Sequence, residues 1–119
     1  MKKVMLVEDD VTMLGLLNML LEMEGFSVIK VLDDDPDKLL ETIRQERPAL
    51  VLMDVHLRQI NGFDLLRRIK DEDDTKGIKV LMSSGIDFRA ECDQAGADGF
   101  ILKPYMPDAL IQQIHQMVV

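Results

Sequence analysis

Tryptophan is absent, aromatic residues make up only 4% of the chain, and there is a single cysteine, Cys92. A lone cysteine closes no internal disulfide, and with two isolated histidines it offers no zinc-ligand spacing. The expectation is a reducing, cytoplasmic setting in which Cys92 is a small buried filler. Long hydrophobic runs are also missing. The opening MKKVMLVEDD has a run of only four apolar residues, VMLV, between its two lysines and the acids, which is neither a signal peptide nor a membrane span. Positive charge is scarce: 14 Lys and Arg stand against 22 Asp and Glu, a formal net charge of −8. That balance argues against direct nucleic-acid binding, which needs clustered cations on phosphates. Arg67, Arg68 and Lys70 read as a solvated helix face, and Asp33-Asp34-Asp35 and Asp71-Glu72-Asp73-Asp74 as charged loops.

What is present fits one domain over residues 1–119, with 47% hydrophobic residues to build a single core. Apolar runs alternate five times with helical patterns. The first strand spans about Lys3 to Glu8, and a helix with Met13, Leu16, Leu17 and Leu20 at helical spacing, its leucines and methionines read as core, follows as far as Gly25. FSVIKV is a strand; Asp35-Pro36 caps and opens a helix that runs to about Glu46. ALVLM is the third strand, followed past Gly62 by a helix carrying Phe63, Leu66 and Ile69 on one side. IKVLMS, a short helical stretch from Arg89 to Gln94, and GFILK come next, and the chain closes on a stripe of Leu110, Ile111, Ile114, Met117 and Val118. Alternation of this kind predicts a doubly wound α/β sandwich with a parallel sheet.

Four of the apolar runs end in polar residues of different chemistry: Glu8-Asp9, Asp54, Ser84 and Lys103-Pro104. In an open parallel sheet all strand carboxyl ends lie at one edge, where ligands bind. Carboxylates gathered with one lysine and one hydroxyl suit a divalent cation, Mg²⁺ above all, together with a phosphoryl group. A lone acid such as Asp54 ending a buried strand is expensive as a core residue, so a chemical role outranks a helix cap. Asp10, by contrast, reads as the cap of the first helix.

The ordered set of Glu8-Asp9, Asp54, Ser84-Gly85 and Lys103-Pro104 resembles the receiver domain of two-component response regulators, over nearly the whole chain. The resemblance implies a flavodoxin-like five-stranded sheet of order 2-1-3-4-5 with five helices. It also implies a phosphoacceptor signalling domain, not an enzyme, that promotes its own phosphorylation and dephosphorylation. Asp54 would be the phosphoacceptor, supplied by a sensor histidine kinase or phosphotransfer protein. Mg²⁺ would be held by Glu8, Asp9, Asp54 and the backbone carbonyl of His56. Ser84, 30 residues after Asp54, would bind a phosphoryl oxygen while Ser83 points to the opposite strand face; Lys103 would compensate phosphoryl charge. Phe100 stands where the family carries an aromatic switch residue coupled to Ser84, and His56 and Ile86 where it tunes the lifetime of the acyl phosphate. Lys103-Pro104 is expected to be cis.

Two departures stand out. Arg58 replaces a proline common four residues after the phosphoacceptor, and the stretch from Gly85 to Gly96 is about one helical turn short. The second, with the sparse charge of the last helix, speaks against a charge-locked dimer. A monomer or weak dimer is expected, signalling to a partner near Phe100, Tyr105 and Met106 or to an effector domain outside this chain. Three rivals are weaker. A flavodoxin-like carrier lacks its phosphate loop, because Glu8-Asp9-Asp10 would repel flavin phosphate. A haloacid-dehalogenase-like phosphatase lacks the second aspartate in Asp54-Val55-His56. A binding module that has lost phosphotransfer does not need the full set of acids, hydroxyl and lysine.

Overall fold

Every strand but the second is apolar on both faces, and a strand of that kind is stable only when covered on both sides. The computed structural model, which describes residues 2–31 and 35–118, meets this demand with three layers. In chain order the elements are β1 (Lys3–Val7), α1 (Val11–Met23), β2 (Ser27–Val31), α2 (Pro36–Glu46), β3 (Leu50–Asp54), α3 (Gly62–Asp71), β4 (Lys79–Ser84), α4 (Arg89–Gln94), β5 (Gly99–Leu102) and α5 (Pro107–Met117). All strand pairs are parallel and the sheet order is β2-β1-β3-β4-β5, as expected. Asp33 and Asp34 of the first acidic run lie outside the described residues.

Alternate strand residues feed two cores. Met5, Val7, Val51, Met53, Val80 and Met82 pack against Leu39, Leu40 and Ile43 of α2, Leu65, Leu66 and Ile69 of α3, and Cys92 of α4. Val4, Leu6, Leu50, Leu52 and Leu81 pack on the other face against Leu14, Leu17 and Leu21 of α1 and Leu110 and Ile114 of α5. Cys92 is a buried filler, and burial pushes its thiol up to about 11, so it is neutral at physiological pH.

Local signals act where expected. Asp10 caps α1 by accepting from the Thr12 and Met13 amides, and Asp35 caps α2 ahead of Pro36. Gly25, at φ +89°, turns the chain so that the Phe26 amide returns to the Leu21 carbonyl and closes α1. Lys103-Pro104 is cis.

Two expectations need correction. The buried face of α1 is Leu14, Leu17 and Leu21, while Leu16, Met19 and Met23 are exposed. The helix is apolar nearly all round, so periodicity could not select which stripe turns inward. Lys70 is no solvated cation either: its ammonium is half-buried and donates to the carbonyls of Lys76 and Ile78 and to Asp98 Oδ2, at 3.1, 2.7 and 2.7 Å. Asp98 also accepts the Val80 amide, so this pair fastens the start of β4.

Gly62 decides how α3 meets the sheet. Its amide donates to the Val55 carbonyl at 2.8 Å, and a Cβ there would lie 2.5 Å from the Asp54 carbonyl oxygen and 2.7 Å from that of Val55. Backbone atoms cannot swing aside as side chains do, so a larger residue must displace the helix or the end of β3. Gly62→Ala is therefore expected to destabilise the fold by about 2 kcal/mol. Urea unfolding measures it; a midpoint equal to that of wild type would show that the helix and strand have room to part.

Candidate functional site

The strand order reverses between β1 and β3, and at such a point the loops leave the sheet in opposite directions and open a crevice. Glu8 follows β1 and Asp54 ends β3, so their carboxylates meet there. Lys103 arrives from the end of β5, and its amide donates to the Ser84 carbonyl at 2.8 Å, tying it to β4. Its ammonium lies between the acids, 2.8 Å from Asp54 Oδ2 and 3.1 Å from Glu8 Oε2. These side chains are 15%, 10% and 23% exposed for Asp54, Glu8 and Lys103, a setting much drier than a surface ion pair. Burial works against the ammonium, but the hydrogen bond and charge of Asp54, followed by those of Glu8, outweigh it and hold the Lys103 pKa above the ordinary lysine value.

The remaining lone pairs are also engaged. Glu8 Oε1 accepts the Asp10 amide at 3.1 Å, and Asp54 Oδ1 accepts the His56 amide at 3.3 Å. Asp9 does not join the lysine: its Oδ2 accepts the backbone amide of Arg58, from the loop between β3 and α3. Among the described residues no three acids, histidines or cysteines are preassembled around an ion position. The donor set nonetheless fits a hard cation that needs few protein ligands. Three carboxylates stand at one sheet edge against a single ammonium, and Mg²⁺ is held by one or two carboxylates with phosphate and water completing its shell.

The two serines divide between the faces of the sheet. Ser83 pairs in register with Asp54 and lines a small cavity with Leu6, Glu8, Leu17, Leu52, Asp54 and Tyr105. Ser84, two residues after Met82, lies on the face that carries Phe100, and its Oγ accepts the Ile86 amide at 3.1 Å. The Ser84 hydroxyl is thus engaged with its own loop, whereas Ser83, read from sequence as facing away from Ser84, shares the cavity with Asp54.

Tyr105 is a further site residue. Burial raises its pKa; Lys103 opposes this and the two acids reinforce it, so the phenol stays neutral beside them. The two apolar residues near it, Leu102 and Met106, are exposed, as is Ile86. Over the opposite rim, His56 stands edge-on to Phe88 at 5.6 Å between ring centroids, and Phe88 stands edge-on to Phe63 at the same distance. The Arg89 guanidinium lies 5.5 Å from the centre of the buried Phe100 ring. Sequence reasoning does not single out Phe88, because nothing in its spacing distinguishes it from a core aromatic.

Both the fold and the sequence are shared with known proteins. The chain is 36% identical over 115 residues to an uncharacterized 76.5 kDa protein of Thiocystis violacea, matching 94% of this chain but only 16% of that relative's length. It is 28% identical to the polar-differentiation response regulator DivK of Brucella anthropi, covering 95% of this chain and 93% of DivK. Among solved structures, the receiver domain of a signal transduction histidine kinase from Syntrophus aciditrophicus superposes with a TM-score of 0.88 at 26% identity, covering 99% of this chain and 90% of that one. Residues 4–115 match the family model of the response regulator receiver domain, and with the acidic pair, Asp54 and Lys103 placed at one sheet edge the chain belongs to that family.

Proposed function

We propose that the chain accepts a phosphoryl group on Asp54 from the phosphohistidine of a sensor histidine kinase or phosphotransfer protein, and that the acyl phosphate is the signal. The observation that carries this reading is the Lys103 ammonium held between Asp54 and Glu8 at the ends of β5, β3 and β1. In the transfer, an Asp54 carboxylate oxygen forms a bond to phosphorus as the bond from phosphorus to the donor imidazole nitrogen breaks. The imidazole departs with the electron pair and is neutralised by a proton. Lys103 would then face a dianionic group in a half-dry site, where a fixed cation stabilises developing charge more than it could in water.

Glu8, Asp9, Asp54 and the His56 carbonyl are the residues proposed to hold Mg²⁺, which would supply charge neutralisation at the phosphoryl oxygens. Without a metal ion, bringing a dianion to three carboxylates that share one ammonium is opposed. Ser84 would release the Ile86 amide to engage a phosphoryl oxygen, and Phe100, on the same sheet face, would sense that movement. His56 and Ile86, whose amides meet Asp54 and Ser84 and whose side chains are exposed, would set how readily water reaches the acyl phosphate. A groove of about 780 Å³ between α4, β5 and α5, lined by Arg89, Glu91, Phe100 and Gln113, gives the response a surface on which a partner or effector domain can read it. With α4 only six residues long, the protein is expected to act as a monomer or weak dimer.

Two outcomes are expected. A small phosphodonor with Mg²⁺ should add one phosphoryl group to the wild type, seen by intact mass, and none to Asp54→Asn or after chelation; equal labelling of the variant contradicts the assignment. Lys103→Ala should remain folded yet lose at least most of the backbone NMR shift changes that a beryllofluoride mimic produces in wild type. An undiminished response would remove Lys103 from the signalling role.

A further inference from the structure

The contact between Asp9 and Arg58 carries more than a turn hydrogen bond. The loop of residues 55–61 is closed on itself: the Gly62 amide donates to the Val55 carbonyl, His56 and Asn61 form an isolated antiparallel bridge, and Ile60 is buried beneath. Its base is fixed to β4 by the Val55 amide on the Ser83 carbonyl. Arg58 sits at the tip, and its N–H is directed at Asp9 Oδ2 across 49 positions of sequence. The same carboxylate is proposed above to bind Mg²⁺, and an N–H donor competes with a cation for carboxylate lone pairs.

We infer that the Arg58 backbone amide is a latch on Asp9 that opposes cation binding, so that metal entry and release of the β3–α3 loop are one linked event. This rests on the reading of Asp9 as a metal ligand. Linkage requires the coupling to run both ways: whatever removes the latch must raise cation affinity, and the cation must loosen the latch. Proline has no backbone N–H and could not form it, so the residue at position 58 sets the cation affinity through its main chain. The latch also accounts for Asp9 standing apart from Lys103, Glu8 and Asp54 in a site otherwise drawn together.

The side chain must be separated from the amide, because Arg58 also places a positive charge nearby. Arg58→Ala removes the charge and keeps the N–H, while Arg58→Pro removes both. Calorimetric titration with Mg²⁺ alone is expected to give a dissociation constant about threefold to tenfold lower for Arg58→Pro than for Arg58→Ala. Equal constants for the two, with both folded by circular dichroism, overturn the latch and leave the metal site standing. Should the proline variant fail to fold, the wild-type amide decides. The Arg58 N–H resonance should move upfield and exchange faster with water as Mg²⁺ is added, and should move the same way in metal-free Asp9→Ala. A resonance that stays in place in Asp9→Ala overturns the latch. No Mg²⁺ binding by any form overturns the metal assignment and the latch with it.

Discussion

The arrangement depends on a single ammonium group keeping two carboxylates together. Glu8 and Asp54 are nearly buried at adjacent strand ends, where their mutual repulsion is weakly screened. Lys103 offsets that repulsion, and it can do so only because β5 delivers it to the same edge at the height of β1 and β3. The neutralisation is incomplete, since one lysine faces three acids once Asp9 is counted. A site left with excess negative charge, one potential nucleophile and one cation held between two acids suits the proposed divalent ion and phosphoryl group. On the proposed reading the divalent ion completes a balance that Lys103 has half made, and only then is a phosphoryl group admitted.

That poise requires a rigid edge. β1, β3 and β4 are buried on both faces, so their ends cannot shift without disturbing two cores at once. α3 is pressed onto the end of β3 through Gly62, and Asp98 and Lys70 fasten the entry to β4. The loops above this frame touch the side chains of the site itself only through single amide contacts from Arg58, His56 and Ile86. The rigid part fixes where the charges are; those contacts are what a change in the charges can move.

Much of this is legible in the order of residues. Apolar runs ending in Glu8, Asp54, Ser84 and Lys103 determine which residues share an edge, because a parallel sheet leaves strand ends no other place to go. Asp10 and Asp35-Pro36 announce helix starts through capping chemistry that is local in sequence. What cannot be read that way depends on direction or on the main chain. The inward stripe of α1 is obscured because Leu16, Met19 and Met23 are as apolar as Leu14, Leu17 and Leu21. The position of Ser83 beside Asp54 follows from register between β3 and β4, which sequence separation does not give. The Arg58 contact is made by a backbone N–H that every residue but proline carries, so only the absent proline hints at it.

The central claim is that Lys103 and a divalent cation relieve the same repulsion, each doing in part what the other does. Thermal unfolding of wild type and Lys103→Met, with and without Mg²⁺, tests this most directly. The account predicts that the variant melts below wild type in metal-free buffer and that its melting temperature rises more than that of wild type when Mg²⁺ is added, because two uncompensated carboxylates bind the ion more tightly. Equal rises in the two proteins would contradict it.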